Sequence, residues 1–320
     1  MDYLVKVENL SKNFKIKSNK LFKPKKILKA VNDVSFFIKP NESLGLVGES
    51  GCGKSTLARL ILALLTPSSG KILFNGEDIT KFRFKKLKDL RKNMQIVFQD
   101  PYSSLNPRKT ILDIVAAPIR VHYRLSRSEI EKKVKELLDL VGISDKYLQR
   151  YPHEFSGGQR QRIGIARALA ISPKLIVCDE PVSALDVSIQ AQTINLLEEI
   201  KERLKLSYLF ISHDLSVVRH ISDRVLVMYL GKIVEIADKT DLFDNPLHPY
   251  TKALISAIPV PEVSAKKERI ILAGDIELPI GEKKGCVFSS RCYMSQKICF
   301  EKNPDMKYFE KGRSAMCHFV

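Results

Sequence analysis

The sequence predicts an α/β fold with a mainly parallel β-sheet. Apolar segments of strand length, such as Ser43 to Val47 and the segment LIVC before Asp179, alternate along the chain with segments of helical periodicity. The first of these strands leads into a glycine-rich loop and then into the helical pattern KSTLARLILALL. Strands that alternate with helices in this way are typical of an α/β domain.

The other elements are predicted from the same two periodicities. Alternation at Val5, Val7 and from Val34 to Ile38 indicates an N-terminal antiparallel sheet, interrupted by a basic, turn-rich insertion at 16–28. The later predictions, in chain order, are a strand at 94–98, mostly helix at 107–150, a helix from FSGGQRQR to about Ile171, a helix at 188–205 and strands at 207–212 and 224–229.

Proline-bearing segments at 245–262 mark a change in the character of the chain. We therefore expect a main domain at residues 1–240, with a helical subdomain at about 101–160. A small appended domain is expected at 241–320.

The composition is that of a soluble globular protein, with 320 residues of which 44% are hydrophobic and 28% charged. The formal net charge is +17, and lysines crowd the segments 15–29 and 81–92. Such runs are usually solvated faces, but nucleic acid or an anionic membrane leaflet would also be attracted to them. No signal peptide and no apolar stretch of about 20 residues is visible, so we expect a cytoplasmic chain that reaches a membrane only through a partner.

The loop GESGCGKST has the spacing of a phosphate-binding loop. Glycines let backbone N–H groups curl around phosphates, Lys54 reaches the terminal phosphates and Ser55 offers a hydroxyl to Mg²⁺. The alternative is a chance glycine turn, but the preceding strand and following helix favour a nucleoside triphosphate site. Its predicted binding residues are Gly48, Glu49, Ser50, Gly51, Cys52, Gly53, Lys54, Ser55 and Thr56.

An acidic pair follows the strand LIVC, as a Mg²⁺-bound triphosphate requires. We expect Asp179 to hold the metal and Glu180 to act as the general base, although the pair could merely begin a loop. A second glycine-rich stretch, FSGGQ, predicts an N-cap at Ser156 and exposed N–H groups at Gly157 and Gly158. These N–H groups could bind a phosphate, so the chain has two helix N-termini that could each face a phosphate. A single phosphate loop, however, needs only one further helix N-terminus as its partner.

In their order and form these motifs resemble those of the ATP-binding cassette (ABC) ATPases. GESGCGKST is similar to the Walker A motif, FSGGQ with Gln159 to the signature motif, LIVCDE to Walker B, and VFQDP with Gln99 to the Q-loop. SALD, which ends at Asp186, is similar to the D-loop, and ISHD contains the switch histidine, His213. The resemblance implies an ABC-type P-loop NTPase core whose cassettes pair head to tail, with the signature of one chain completing the Walker A site of the other.

The resemblance also implies the roles of single residues. Glu180, His213 and Gln99 are expected to be catalytic, and Ser55, Gln99 and Asp179 to bind Mg²⁺. Phe14 is expected to stack on adenine; the alternative is a phenylalanine of the sheet core. For His213 the alternative is a satisfied core histidine.

Two further stretches narrow the family. VFQDPYSSLNPRKTILDIVAAPI and NPLHPYTKALISAIPVP resemble the ATPase subunits of oligopeptide/dipeptide importers, a family that also includes nickel and some oligosaccharide importers. The resemblance implies ATP-driven peptide import with a second ATPase subunit, two transmembrane permease subunits and, indirectly, an extracytoplasmic binding protein. A homodimer stays open. The rival is an ATP-driven nucleic-acid machine, but such proteins generally have two cassettes, long coiled coils or zinc modules, so no nucleic acid is expected.

Four of the six cysteines lie near the C-terminus, at Cys286, Cys292, Cys299 and Cys317. Their spacing is not the paired C-x₂₋₄-C of structural zinc, nor that of ferredoxins. GCVFSSRC resembles the region that holds a [4Fe–4S] cluster in some importer ATPases, although Tyr293 and the ELP at 277–279 depart from that pattern. We expect a [4Fe–4S] cluster, with zinc or free buried thiols as the alternatives.

Overall fold

The computed structural model describes residues 3–16, 26–83, 85–258, 269–274, 280–281 and 284–320. The chain divides into two compact units. Unit 1 comprises residues 1–39, 43–81 and 212–320, and unit 2 comprises residues 40–42 and 82–211. Residues 241–320 therefore lie in the same unit as the phosphate loop, and the boundary expected at residue 240 stays a prediction.

Strands and helices alternate through the chain in the order expected of an α/β protein. The strands are β1 (Val5–Ile16), β2 (Lys26–Ile38), β3 (Ser43–Val47), β4 (Ser69–Phe74), β5 (Glu77–Asp78), β6 (Met94–Val97), β7 (Leu175–Asp179), β8 (Ser207–Ile211), β9 (Arg224–Tyr229), β10 (Lys232–Asp238), β11 (Lys307–Tyr308) and β12 (Ser314–Ala315). The helices are α1 (Lys54–Ile61), α2 (Lys85–Asn93), α3 (Pro101–Ser104), α4 (Ile111–His122), α5 (Arg127–Leu140), α6 (Gly157–Leu169), α7 (Val187–Leu204), α8 (Leu215–Ile221), α9 (Lys239–Asp244), α10 (Pro249–Ser256) and α11 (Lys297–Glu301).

The N-terminal antiparallel sheet of unit 1 is confirmed. Strand β1 pairs with β2, with Val5 opposite Ile38 and Val7 opposite Phe36, and on its other side with β4. The insertion is narrower than the expected range 16–28, because Ile16 and Lys26 are paired strand residues. Its centre, 17–25, lies outside the described residues.

A second set of strands in unit 1 positions the phosphate loop and the C-terminal segment. The fully buried strand β3, which ends at the loop, is parallel to β9, and β9 is antiparallel to β10. The C-terminal β12 pairs with the far side of β10. Buried Glu235 on β10 accepts backbone hydrogen bonds from Leu247 and His248 and forms an ion pair with Arg313, so the segment after β10 is anchored to this sheet.

Unit 2 contains the parallel strands β8, β7 and β6, with β7 in the middle. Helix α6 packs against α4 and α5 in the predicted helical region. The predicted strand at 94–98 is confirmed, and the helical segment 107–150 contains α4, α5 and a short 3₁₀ helix at Asp145–Tyr147. Helix α5 begins with a capping box formed by Ser126 and Glu129, which explains why the helix starts there.

Helix α1 is shorter than the pattern KSTLARLILALL predicts. The helix ends at Ile61, and Ala63 adopts a left-handed φ of 50° while the N–H of Leu64 bonds back to the Arg59 carbonyl. This closure is the usual way of satisfying the last carbonyls of a helix, here without glycine. Among the helices of the described residues, none has the length and apolar character needed to cross a membrane.

Candidate nucleotide-binding site

The phosphate loop of unit 1 has a backbone that only glycine tolerates at two positions. Gly48 has a φ of 151° and Gly53 a φ of 111°. A Cβ at Gly48 would lie 2.1 Å from the Met228 carbonyl oxygen, and one at Gly53 would lie 2.1 Å from the Ala30 carbonyl oxygen. Both the backbone conformation and the crowding therefore restrict these two positions to glycine.

Lys54 begins helix α1 and folds back over the loop. Its side chain is 5% exposed, and its Nζ donates hydrogen bonds to the carbonyls of Gly48 at 2.6 Å and Glu49 at 3.1 Å. An ammonium has three N–H bonds, and these contacts use two of them. Of the neighbouring predicted residues, Ser50, Gly51 and Ser55 are exposed, Thr56 is half-buried and Cys52 is buried, with its pKa raised by burial.

Glu49 is fixed by two residues from the C-terminal part of the chain that the sequence did not reveal. Its backbone N–H donates to the Tyr250 hydroxyl at 2.9 Å. Its carboxylate receives two hydrogen bonds from Arg291, at 2.7 and 3.1 Å, and this contact raises the pKa of Arg291 above its usual value. The pair Glu49–Arg291 spans 242 positions of sequence, so no local pattern could have indicated it.

The other two candidates in unit 1 are exposed. His213 follows Ser212, whose N–H donates to the Leu46 carbonyl at 3.3 Å, near the end of β3. Phe14 on β1 is 36% exposed, with the Lys12 ammonium 5.3 Å from its ring centroid. Neither is a core residue, so the two structural alternatives for Phe14 and His213 are wrong.

In unit 2 the Q-loop and the acidic pair meet. The Gln99 Nε2 donates to the Glu180 carboxylate at 2.8 Å. Glu180 follows β7 directly and has a left-handed φ of 49°, an uncommon conformation for glutamate. Its N–H donates to the Ile211 carbonyl at 3.0 Å, which fixes the backbone in this conformation. Asp179 is the last residue of β7 and is half-buried.

The signature motif begins helix α6 as predicted. Ser156 caps the helix: its hydroxyl accepts the Gln159 N–H at 3.3 Å, and Gln159 Oε1 accepts the Ser156 N–H at 3.1 Å. A Cβ at Gly158 would lie 2.4 Å from Ile189 Cγ2 of α7, whereas one at Gly157 would lie 3.5 Å from Leu185 in the D-loop. Asp186, the last residue of the D-loop, is exposed and precedes α7.

The four C-terminal cysteines line one cavity of about 40 Å³ in unit 1. Burial raises the pKa of Cys286 to about 11 and also raises that of Cys292. Over the described part of the chain, no group of three or more His, Cys, Asp or Glu side chains is placed to bind a metal ion. Tyr293 is 49% exposed, and the ELP at 277–279 lies outside the described residues.

Comparison with known proteins identifies the family. The family model described as "ABC transporter" matches residues 31–183. The family model described as "Oligopeptide/dipeptide transporter, C-terminal region" matches residues 234–299. The oligopeptide transport ATP-binding protein AppF of Bacillus subtilis (strain 168) is 54% identical over 318 residues, or 98% of this chain and 97% of AppF. The chain belongs to the ABC transporter ATPases.

Other relatives of this ABC ATPase agree. Oligopeptide transport ATP-binding protein OppF of Salmonella typhimurium is 49% identical over 94% of the chain and 92% of OppF. The dimeric post-hydrolysis structure of the ATP-binding cassette MJ0796 bound to ADP and Pi is 29% identical, with a TM-score of 0.66 over 73% of this chain and 98% of MJ0796. The predicted family, the ABC-type α/β fold and the ATPase activity are confirmed.

Proposed function

We propose that this ABC ATPase hydrolyses ATP to power the import of oligopeptides or dipeptides through a membrane permease. The match of residues 234–299 to the oligopeptide/dipeptide transporter C-terminal region supports this proposal most specifically. ABC cores alone serve many functions, so the core does not select a substrate. AppF and OppF are both named oligopeptide transport ATP-binding proteins, and this chain matches them over nearly their whole length. The nucleic-acid alternative is not favoured, and nickel or oligosaccharide import has no comparable support.

The phosphate loop is assigned the binding of the ATP phosphates. Its glycines have the backbone conformation that such a loop needs, and Lys54 has one N–H bond beyond the two that close the loop. Ser55, with its exposed position at the start of α1, is proposed as a Mg²⁺ ligand together with Asp179 and Gln99. Phe14, whose ring is partly exposed, is proposed to stack on adenine.

Hydrolysis is assigned to the residues after β7. Glu180 is proposed to accept the proton of the attacking water, because its carboxylate follows the strand and is fixed by Gln99. Its left-handed backbone is the kind of strained conformation that clusters at active sites. His213 is proposed to contact the terminal phosphate as the switch histidine.

We propose that the ATPase works as a dimer on the cytoplasmic face of the membrane. The capped N-terminus of α6, with Gly157 and Gly158, would complete the phosphate site of the partner ATPase, and Asp186 would lie at that interface. The related cassette MJ0796 is a dimer in its post-hydrolysis structure bound to ADP and Pi. We propose a second, different ATPase subunit as the partner, two permease subunits as the membrane anchor, and an extracytoplasmic binding protein as the source of substrate.

The four C-terminal cysteines are proposed to bind a [4Fe–4S] cluster. Support comes from their position around one cavity, since four cysteine thiolates are the usual ligands of such a cluster. The described residues contain no group of three or more His, Cys, Asp or Glu side chains already placed to bind a metal ion, so either a cluster or a zinc ion would require the thiols to move together. Binding would require the raised thiol pKa values to fall, so cluster assembly should release protons.

The function is tested by reconstituting the chain with its co-expressed partner ATPase, permeases and binding protein in vesicles. ATP hydrolysis should rise when an oligopeptide is present with the binding protein, and labelled peptide should accumulate in the compartment to which the permease opens. Stimulation by nickel or an oligosaccharide instead of peptide would contradict the substrate class. Stimulation by DNA or RNA without permease would contradict the transporter function. Iron and sulfide analysis of anaerobically purified protein tests the cluster separately.

A further inference from the structure

The segment that carries the four C-terminal cysteines, residues 286–317 (the cysteine segment), contacts the phosphate loop through Arg291. This residue lies between Cys286 and Cys292 and immediately precedes Cys292. Its side chain is only 9% exposed, and its two terminal nitrogens contact the two oxygens of Glu49 at 2.7 and 3.1 Å. The Arg291 Nη1 also lies 3.5 Å from the Tyr229 hydroxyl. A bidentate pair of this kind fixes both position and orientation.

The backbone of the same glutamate is held from the same direction. The Glu49 N–H donates to the hydroxyl of Tyr250, a fully buried residue of α10. The Tyr250 ring packs against Tyr229 at 4.7 Å and Phe288 at 5.4 Å between centroids. Phe288 belongs to the cysteine segment. Arg291 therefore fixes the side chain of Glu49, and Tyr250 fixes its backbone. Both residues follow β9 in the chain, and Tyr229 at the end of β9 packs against Tyr250.

The negative charge of Glu49 makes its ion pair with Arg291 important for binding phosphates. A carboxylate directly after Gly48 stands in a loop whose proposed ligand is a polyanion, and an unpaired charge there would repel phosphates. The Arg291 guanidinium, permanently charged, cancels that repulsion. Glu49 is itself 25% exposed, so its charge is only partly screened by water.

We propose that Arg291 is a positioning residue of the ATP site: by pairing with Glu49 it neutralises the phosphate loop and holds it in the nucleotide-binding conformation. The inference rests on the proposed role of the loop in ATP binding. It gives the importer-type C-terminal segment a function in the ATPase itself, since a change in the cysteine segment that moves Arg291 changes the affinity for ATP.

A charge cycle on the full-length chain tests this inference. The dissociation constant of Mg-ATP is measured for wild type, Arg291→Gln, Glu49→Gln and the double variant. Arg291→Gln should weaken ATP binding on the order of tenfold, because it leaves the Glu49 carboxylate unpaired. The double variant should bind within about threefold of wild type, since the repulsive charge is gone. The defect of Arg291→Gln should also shrink as salt rises to about 0.5 M.

Two results would overturn the inference. One is an Arg291→Gln variant that binds ATP as wild type does; the other is a double variant as weak as the single one at every salt concentration, which would make Arg291 a purely structural contact. If Arg291→Gln does not fold, Arg291→Lys replaces it: this variant loses the bidentate geometry but keeps the charge that neutralises Glu49, so ATP affinity should stay within about threefold, and a tenfold loss would contradict the electrostatic role. Lys54→Ala separates the two proposals, because wild-type ATP affinity in that variant would refute the loop's binding role itself.

Discussion

The two glycine-rich stretches of this chain use glycine for different physical reasons. In the phosphate loop, Gly48 and Gly53 have left-handed φ angles, and backbone carbonyls occupy the space that a Cβ would need. In the signature motif, Gly157 and Gly158 begin a regular helix, and only Gly158 is crowded, by the side chain of Ile189. The first loop needs glycine to adopt its backbone conformation, whereas the second needs it to leave space near a helix N-terminus.

The stretches also differ in what supports them. The phosphate loop is fixed from the C-terminal segment, through Tyr250 and Arg291. The signature motif is fixed locally, by its own capping box between Ser156 and Gln159. A loop that must wrap a polyanion is thus built from distant contacts, while a helix end that must present N–H groups is built from its nearest neighbours.

The largest expected effect separates binding by the phosphate loop from chemistry. Glu180→Gln removes the proposed general base but leaves Lys54 and the loop intact, so hydrolysis should fall by about 10²–10⁴-fold. ATP binding should be retained. Single-turnover hydrolysis and equilibrium ATP binding, measured with the partner subunits, check both halves. Turnover at the wild-type rate would remove Glu180 from this role.

Within the phosphate loop, Gly53→Ala should be far more damaging than Gly51→Ala. The Cβ at Gly53 would meet the Ala30 carbonyl at 2.1 Å, and the φ is 111°; we expect a loss of about 3 kcal/mol or more in the free energy of unfolding. Gly51 has a φ of 79° but open space, so only the conformational cost of about 1–2 kcal/mol applies. Urea denaturation measures both. Equal losses would mean that crowding by Ala30 is unimportant.

Within the signature motif the matched pair is Gly158→Ala and Gly157→Ala. The first should lose about 2 kcal/mol of stability because its Cβ would lie 2.4 Å from Ile189. The second should fold with wild-type stability, since its nearest contact, Leu185, is at 3.5 Å. Thermal unfolding of the two variants checks the difference, and a destabilised Gly157→Ala would contradict it.

The sequence was sufficient for the parts of the molecule that depend on local patterns. The strand β3, the phosphate loop, the acidic pair at the end of β7 and the cap at Ser156 were all predicted at their positions. The end of α1 was not, because the pattern stays apolar to Leu65 while Ala63 adopts a left-handed conformation. The pairing of Glu49 with Arg291 was invisible for another reason: it is made by the tertiary fold across most of the chain.

The smallest effect concerns the C-terminal support of the phosphate loop. His248 caps α10, with its Nδ1 accepting the Tyr250 N–H at 3.1 Å, and burial lowers the pKa of His248 to about 3. The unfolded chain therefore binds a proton between pH 6.5 and 3 that the folded chain does not, so stability falls as pH falls below 6.5. Between pH 7 and pH 5.5 the free energy of unfolding should fall by roughly 1 kcal/mol from this histidine. His248→Asn, which can still cap the helix, should lose this part of the acid sensitivity in urea titrations at the two pH values.

The division of labour between the two stretches is tested most directly by comparing Lys54→Ala with Ser156→Arg. ATP affinity is measured on each isolated chain, and ATP hydrolysis on each chain assembled with its partner ATPase and permeases. Lys54→Ala should abolish both ATP binding and hydrolysis at its own loop. Ser156→Arg should bind ATP with wild-type affinity when isolated, yet lose hydrolysis in the assembly, because its signature serves the partner's phosphate loop. Weakened ATP binding by isolated Ser156→Arg, with hydrolysis lost in proportion, would contradict that account.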